Sequence, residues 1–277
     1  MLKTIKNYRM KNVKLLISVG LIVGMVSCGK KGCMDPMSLA YDSEATKDDG
    51  NCTYPANEKR SLVFKFTATW CSYCGEWGAE YVDNIYSDFS TSTEVISIHR
   101  NDNFSVDIGD FLFSQLTPQG VPAFFVGTSD MGYTGYGTIN SAIQSELTEQ
   151  NEIAMATSFT TGAGVMNIKV QSQLSDPSSS NGSDLYLAIY LLEDGQVAPQ
   201  QVAGTGEVSN FVHNHILRTE ANGSPFGVPI TFTDGNNLSE VNANLAPSTI
   251  WTHENLYPLA VIWRMNGNNY EFVNFAK

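Results

Sequence analysis

Two cysteines spaced as Cys-x-x-Cys constrain this 277-residue chain more than any other feature. Cys71 and Cys74 follow an apolar, β-rich segment at 61–68 and precede an amphipathic segment at 77–89. Between a strand and a helix, this spacing indicates a redox dithiol. The unpaired N–H groups at a helix start favour a thiolate, so Cys71 is predicted to be the nucleophile. Cys74 is predicted to resolve the mixed disulfide.

Two other roles for the pair stay open. A static disulfide in a binding domain would use the same two residues without any reactivity. A zinc site would need further ligands, and no second Cys-x-x-Cys pair is present to supply them. Thiol exchange requires neither a metal nor a cofactor, so the sequence predicts none for the dithiol.

The pattern around the pair alternates between strands and helices. Strands are predicted at 61–68, 94–99 and 122–127, a tight hairpin at 132–136, and helices at 77–89, 104–116 and 139–150. This order predicts an α/β layer structure. Pro122 stands at the start of a strand, a position that fits a cis peptide after Val121.

Trp70-Cys71-Ser72-Tyr73-Cys74, followed later by Val121-Pro122, resembles the thioredoxin superfamily. The resemblance implies that Trp70 flanks the sulfurs and that the Val121 backbone binds a substrate chain as an added strand. Two positions depart from the usual pattern. Lys65 stands where thioredoxins carry an acidic residue, and Gly75 follows the second cysteine where many relatives have Lys, Arg or Pro.

From residue 153 the chain changes texture, with β-branched and aromatic strands between Gly, Asn, Ser and Pro turns. Strands at 164–173, 184–192, 228–233, 257–265 and 270–275 predict an all-β antiparallel sandwich. If the segment around 211–218 is a strand, His213 and His215 project to one face, as two metal ligands would. The alternative is a polar strand face or a domain contact, because no third ligand is identifiable.

The amino terminus predicts export and a lipid anchor. Residues 1–27 combine five basic residues with an apolar run at 15–26, the pattern of a secretory signal. The run is shorter than the ~20 residues that span a bilayer. Met25-Val26-Ser27-Cys28 resembles the lipobox of bacterial lipoproteins, which implies cleavage before Cys28 and acylation of that cysteine. An uncleaved helix or a plain signal peptide are the alternatives.

Residues 28–59 are predicted to be a tether and a small stapled module. Cys33 and Cys52, in an exported chain, predict a structural disulfide. The module resembles short Cys-Asp-Pro to Asp-Asp-Gly-x-Cys repeats of exported Bacteroidota proteins. Its carboxylates could supply oxygen ligands for Ca²⁺, or the module could be a spacer whose carboxylates are solvated. The spacing of these carboxylates does not match that of the EF-hand loop. The carboxylates are those of Asp35, Asp42, Asp48 and Asp49.

The layout as a whole resembles the Bacteroidota lipoproteins related to outer membrane protein 28. The residues that carry this resemblance are 66–74 and Val212-His213-Asn214-His215-Ile216-Leu217-Arg218. It implies an outer-membrane location and a thioredoxin-like domain, at 60–152, followed by a β-sandwich domain at 153–277. Lys30-Lys31 after the lipid cysteine favour the periplasmic face over the cell surface.

Two functions are therefore carried forward. In the first, the chain is an envelope thiol–disulfide oxidoreductase that acts on envelope proteins. In the second, it is a non-catalytic interaction or assembly subunit of an outer-membrane complex, with the thioredoxin-like domain as scaffold. A formal net charge of −12 argues against nucleic acid as a partner.

Overall fold

The computed structural model describes residues 29–36, 38–178, 184–245 and 251–277. The predicted signal peptide at 1–27 and the predicted lipid site Cys28 lie outside these residues. The amino-terminal half contains the strands β1 (Lys31–Gly32), β2 (Lys47–Asp48), β3 (Ser61–Thr67), β4 (Thr93–His99), β5 (Ala123–Val126) and β6 (Ser129–Asp130). Its helices are α1 (Ser72–Gly75), α2 (Trp77–Phe89), α3 (Asp107–Leu116) and α4 (Tyr136–Leu147).

Strands dominate the second half. They are β7 (Ile153–Gly162), β8 (Val165–Leu174), β9 (Leu185–Glu193), β10 (Gln196–Val202), β11 (Gly206–His213), β12 (Ile216–Glu220), β13 (Val228–Pro229), β14 (Asn236–Asn244), β15 (Leu256–Asn266) and β16 (Asn269–Ala276). The helix predicted at 77–89 and the strand predicted at 164–173 have close counterparts in α2 and β8. The strand predicted at 228–233 is reduced to the two residues of β13.

The tight hairpin predicted at 132–136 is wrong. β5 turns back into β6 at Gly127 and Thr128, where Gly127 has a φ of 56°. Gly132 and Gly135 also adopt positive φ, but they lie in the turn that leads into α4. Gly132 and Gly135 correctly indicated a turn, but their spacing did not show which elements the turn connects.

Most strands of the described residues belong to one nine-stranded sheet. Its order is β16-β15-β9-β12-β4-β3-β5-β6, with β13 paired to β9. β3 and β4 are parallel, whereas β5 and β6 are antiparallel additions. β12 joins the two halves, because it lies parallel to β4 on one side and antiparallel to β9 on the other.

The three-stranded sheet β14-β8-β7 packs on the carboxy-terminal half of the large sheet. Ile168 and Val170 of β8 meet Ile189 and Leu191 of β9 in one buried cluster. In the amino-terminal half, α2 and α4 cover the sheet through Ile85, Ile139 and Ile143, which pack on Val63 and Phe124. The carboxy-terminal half is therefore two packed antiparallel layers, and the other half is a sheet with helices.

A single hydrophobic core crosses the predicted domain boundary at residues 152 and 153. Phe64 of β3 stacks on Trp263 of β15 at a ring separation of 6.1 Å. The same cluster extends from Leu112 of α3 to Tyr190 of β9. The boundary therefore separates two segments of the sequence, but these segments share one sheet and one core.

Candidate functional site

Cys71 and Cys74 lie directly after β3, where the chain turns into a single helical turn, α1. The two sulfurs form a disulfide with a Cα–Cα distance of 5.2 Å. Cys71 caps α1, since its Sγ accepts a hydrogen bond from the backbone N–H of Cys74 at 3.2 Å. Cys71 is 6% exposed and Cys74 is 2% exposed. Both cysteines are therefore buried, and Cys71 is slightly the more exposed residue of the two.

The loop before β5 packs against the disulfide. The Val121–Pro122 peptide is cis, as predicted, and Cys71 Sγ lies 3.5 Å from the carbonyl oxygen of Val121. Gly78 of α2 permits this approach, because a Cβ there would lie 3.1 Å from Cβ of Pro122. Among the described residues, the backbone N–H of Val121 has no hydrogen-bond partner. It is available to an added strand.

Trp70 borders the same opening. It is 54% exposed, and its indole N–H donates to the carbonyl oxygen of Arg100 at 3.2 Å. The neighbouring Tyr73 is also exposed. Two exposed aromatic residues therefore flank Cys71 and Ser72 along the chain, next to the loop that contains Val121.

Asp102 is hydrogen-bonded to the dithiol loop, and it belongs to no sequence motif that would have identified it. Its Oδ2 accepts from the backbone N–H of Thr69 and from Nδ1 of His99, each at 2.8 Å. Burial is the largest single effect and raises the pKa of the Asp102 carboxyl group, but the interactions with His99 and the hydrogen bonds from the backbone N–H groups of Thr69 and Phe104 together lower it below its ordinary value. Burial lowers the pKa of His99, against the opposing effect of its hydrogen bond to Asp102.

The hairpin of β10 and β11 covers the other side of the dithiol loop. Gln201 N–H donates to the carbonyl oxygen of Thr69 at 2.8 Å, and Ala203 N–H donates to that of Ser72 at 3.0 Å. The buried Gln200 Nε2 donates to the carbonyl oxygens of Ala68 and Cys71, at 3.2 and 2.9 Å. These residues lie about 130 positions along the chain from the cysteines, so no local pattern could have predicted this contact.

The close approach of this hairpin explains why a glycine occupies position 75. A Cβ at Gly75 would collide with the carbonyl oxygen of Gln201. Gly75→Ala is therefore expected to lower the free energy of unfolding by about 1–3 kcal/mol through overpacking. Chemical denaturation measures this change.

The matched control is Gly137→Ala in α4, where a Cβ has open space around it. That substitution is expected to raise the free energy of unfolding by about 0.5–1 kcal/mol, because Ala is the better helix former. Equal effects of the two substitutions would contradict the close packing of the hairpin on Gly75.

A cavity of about 610 Å³ lies behind the disulfide, between β3, β4, α2 and the end of β11. Cys74 lines this cavity, and so do Lys65, His99, His213 and His215. Lys65 is 9% exposed and makes no hydrogen bond or ion pair within the described residues. Burial lowers the pKa of its ammonium group to about 8, although the nearby charge of Asp83 acts in the opposite direction. The lysine that replaces the usual acidic residue therefore points into the protein.

His213 and His215 do not share a strand face, so the predicted geometry for two metal ligands is wrong. β11 ends at His213, and His215 adopts a φ of 58° before β12 begins. His213 contacts His99 at a ring separation of 5.5 Å, and burial is the main cause that lowers its pKa to about 4. His215 Nδ1 instead lies 3.0 Å from the hydroxyl oxygen of Tyr257. Within the described part of the chain, no group of three or more potential metal ligands occurs.

The segment from His213 to Arg218 forms the joint between the two halves. The His215 carbonyl oxygen accepts from Ser97 N–H at 2.7 Å, which connects β12 to β4. Asn214 Oδ1 accepts from Gly195 N–H at 2.8 Å. Arg218 Nε donates to Glu193 Oε2 at 2.5 Å in a buried ion pair. The histidine motif singled out in the sequence thus has a visible structural role.

The amino-terminal module is stapled by Cys33 and Cys52, whose sulfurs are bonded at 2.04 Å. Its carboxylates make separate local contacts. Asp42 pairs with Lys30, and Asp35 accepts from Tyr54 OH at 2.6 Å. Asp48 and Asp49 accept from backbone N–H groups two residues later. The described residues therefore give the predicted Ca²⁺ site no geometric support.

The fold and the site define a protein of mixed α and β structure. It has a helix-flanked sheet at one end, packed β-sheets at the other, and a disulfide at a strand–helix junction. The chain belongs to the Omp28 family of outer membrane proteins, because the family model "Outer membrane protein Omp28" matches residues 121–276. The family membership indicates an outer-membrane-associated protein, as the family resemblance implied. None of the curated proteins matches the chain significantly.

Several solved chains match this fold. One of them is HBP35 of Porphyromonas gingivalis, with a TM-score of 0.66 and 19% sequence identity. The similarity covers 80% of this chain and 75% of that one. At this identity, the comparison concerns the fold alone. Separately, none of the helices that the structure describes has the length and apolar character needed to cross a membrane.

Proposed function

We propose that the chain is a thioredoxin-like thiol–disulfide oxidoreductase of the bacterial envelope, held at the outer membrane by lipid on Cys28. The observation that carries the proposal is the position of Cys71. It caps the turn after β3, is the more exposed residue of the pair, and packs against the cis Val121–Pro122 peptide. The order of β3, α2, β4, α3, β5, β6 and α4 is that of the thioredoxin superfamily and supports the same proposal.

The chemistry follows from this arrangement. In the reduced protein, the Cys71 thiolate would accept the Cys74 N–H hydrogen bond that its sulfur accepts in the disulfide. A cysteine-containing segment of an envelope protein would bind along the Val121 backbone, beside Trp70. Cys71 would attack the substrate disulfide, and Cys74 would resolve the resulting mixed disulfide. The lipid anchor and the periplasmic orientation are part of the proposal.

The test is a trapping experiment in cells with the full-length protein. Cys74→Ser should accumulate disulfide-linked adducts with envelope proteins, because the mixed disulfide on Cys71 loses its resolving thiol. Cys71→Ser/Cys74→Ser should form none, and Cys33→Ser/Cys52→Ser controls for adducts through the amino-terminal module. The proposal fails if Cys74→Ser gives no adducts and the wild-type protein shows no thiol exchange with a peptide disulfide.

A second function is favoured by one observation, the coverage of the dithiol loop. Gln200 and the hairpin of β10 and β11 close one side of it, and Cys71 is nearly buried. A static disulfide would suit an assembly subunit of an outer-membrane complex. In that case, affinity capture of Cys71→Ser/Cys74→Ser would recover the same stable partners as the wild-type protein, and no adduct would depend on Cys71.

A further inference from the structure

We propose that Lys65 accepts the proton of Cys74, through water in the shared cavity, when Cys74 resolves a mixed disulfide on Cys71. The inference rests on the proposed thiol–disulfide exchange and deepens it. It assigns a proton-transfer role to the residue that replaces the acidic side chain usual in the superfamily.

The position of Lys65 is fixed by the alternation of β3. Phe64 and Phe66 enter the core on one face of the sheet, while Val63 lies in the cluster beneath α2 and α4. Lys65 is on the same face as Val63 and ends in the cavity behind the dithiol. Cys74 lines that cavity from above. The cavity is large and polar enough to hold water between the two side chains.

Cys74 needs a proton acceptor because it is the inner cysteine. It is 2% exposed and packs with Ala68, Cys71 and Val121. Apolar surroundings disfavour the thiolate, which is the form that attacks a disulfide. The residue is almost completely enclosed, and a base in the cavity that it lines provides a route for its proton.

Lys65 is the side chain in the cavity that suits this role. It has no hydrogen bond or ion pair within the described residues that would occupy its amine. Its lowered pKa, about 8, gives a substantial fraction of the neutral amine near neutral pH. His99 is already bonded to Asp102. A buried lysine without a counter-ion is costly, which favours a functional reason for it.

The other titratable groups facing the cavity come from three directions. α2 contributes Glu80, Asp83 and Tyr86, and Glu76 directly precedes it; the three carboxylates are exposed at the rim. β4 contributes His99, β11 contributes His213, and the turn after β11 contributes His215. Of these groups, Asp83 acts on Lys65 by favouring its charged form. The carboxylates remain in solvent and leave the inner amine as the base beside Cys74.

The step balances as follows. The neutral Lys65 amine takes the proton of the Cys74 thiol by way of a cavity water, and becomes an ammonium. The Cys74 thiolate attacks Cys71 Sγ, and the bond between Cys71 Sγ and the substrate sulfur breaks. The substrate sulfur leaves with the electron pair and takes a proton from solvent. The substrate disulfide is thereby reduced, the protein dithiol is oxidised, and Lys65 returns its proton to solvent through the cavity.

The experiment measures the resolution step directly. The reduced wild-type protein and its Lys65→Met, Lys65→Arg and Lys65→Asp variants are mixed with a peptide carrying one intramolecular disulfide. Acid quenching, alkylation and mass spectrometry follow the mixed disulfide on Cys71 between pH 5 and 10. Lys65→Met and Lys65→Arg should slow its decay at pH 7.5 by about 10²-fold, the size typical of general acid–base catalysis. Lys65→Asp should restore the rate and move the pH midpoint to lower values.

The arms separate the possible outcomes. Unchanged rates and pH profiles in all three variants would overturn the proposal. Full activity of Lys65→Arg would also overturn it, because arginine keeps the charge but cannot accept a proton. Failure of the wild-type protein to form any mixed disulfide would instead refute the proposed function itself. The circular dichroism spectrum of each variant verifies that it is folded.

Discussion

Arg218→Met is expected to lower the free energy of unfolding by about 3–5 kcal/mol, the usual cost of removing one partner of a buried ion pair. Arg218 and Glu193 are 2% and 0% exposed, and Arg218 Nε lies 2.5 Å from Glu193 Oε2. Glu193 Oε1 also accepts from Gln196 Nε2 and Thr252 N–H. Without Arg218, this carboxylate would remain buried with neutral donors only. Chemical denaturation of the purified protein measures the loss.

Two controls make this prediction specific. Glu193→Gln/Arg218→Met should recover most of the lost stability, since no uncompensated charge remains in the core. Lys169→Met removes a partner from the exposed pair with Glu240 and should change the free energy of unfolding by less than about 1 kcal/mol. If Arg218→Met behaved like Lys169→Met, the ion pair would not contribute to the joint between the halves.

Lys65→Met should raise the free energy of unfolding by about 3 kcal/mol at pH 7, in contrast to the loss expected for Arg218→Met. Burial lowers the pKa of Lys65 from its ordinary 10.5 to about 8, so the folded state binds this proton less tightly than the unfolded chain. The penalty is absent above pH 10.5, grows as the pH falls towards 8, and is complete below that value. Methionine keeps the apolar stem and removes the charge.

Urea denaturation at pH 7 and at pH 10 tests this pH dependence. The advantage of Lys65→Met over the wild-type protein should shrink markedly at the higher pH. The exposed variant Lys169→Met should show no such trend. A gain that is equal at the two pH values would mean that packing, and not the buried charge, explains the stability of the variant. If Lys65→Met is more stable but resolves the mixed disulfide more slowly, the wild-type lysine lowers stability while it speeds the resolution step.

The sequence predicted the local parts of the site well. The Cys71 and Cys74 spacing, the strand before them and the helix after them depend on neighbouring residues, whose periodicity is visible. Pro122 directly precedes β5, a position that fits the cis peptide found there. Alternation places Lys65 on the face of β3 opposite Phe64 and Phe66, but its direction stayed open, because that face is enclosed by elements distant in the sequence.

The cover of the site was not predictable in this way. Gln200 lies far along the chain from Cys71, and its two hydrogen bonds to the dithiol loop depend on where the hairpin packs. The prediction that His213 and His215 share a strand face was wrong because His215 itself has a positive φ, which ends the strand alternation before it. The pairing of β12 with β4 joins the halves through Ile216 and Ser97, and neither segment carries a signal for its partner.

The same joint has a consequence for chains that are cut short. β12 occupies the edge of β4, where Ser97 N–H is bonded to His215. A fragment ending near residue 152 would leave that edge open beside the apolar face formed by Phe64, Phe66 and Ile98. Exposed edges of this kind recruit strands from other molecules. Proteolytic loss of the carboxy-terminal half should therefore yield a fragment that aggregates. The amino-terminal half is not expected to persist as a separate soluble domain.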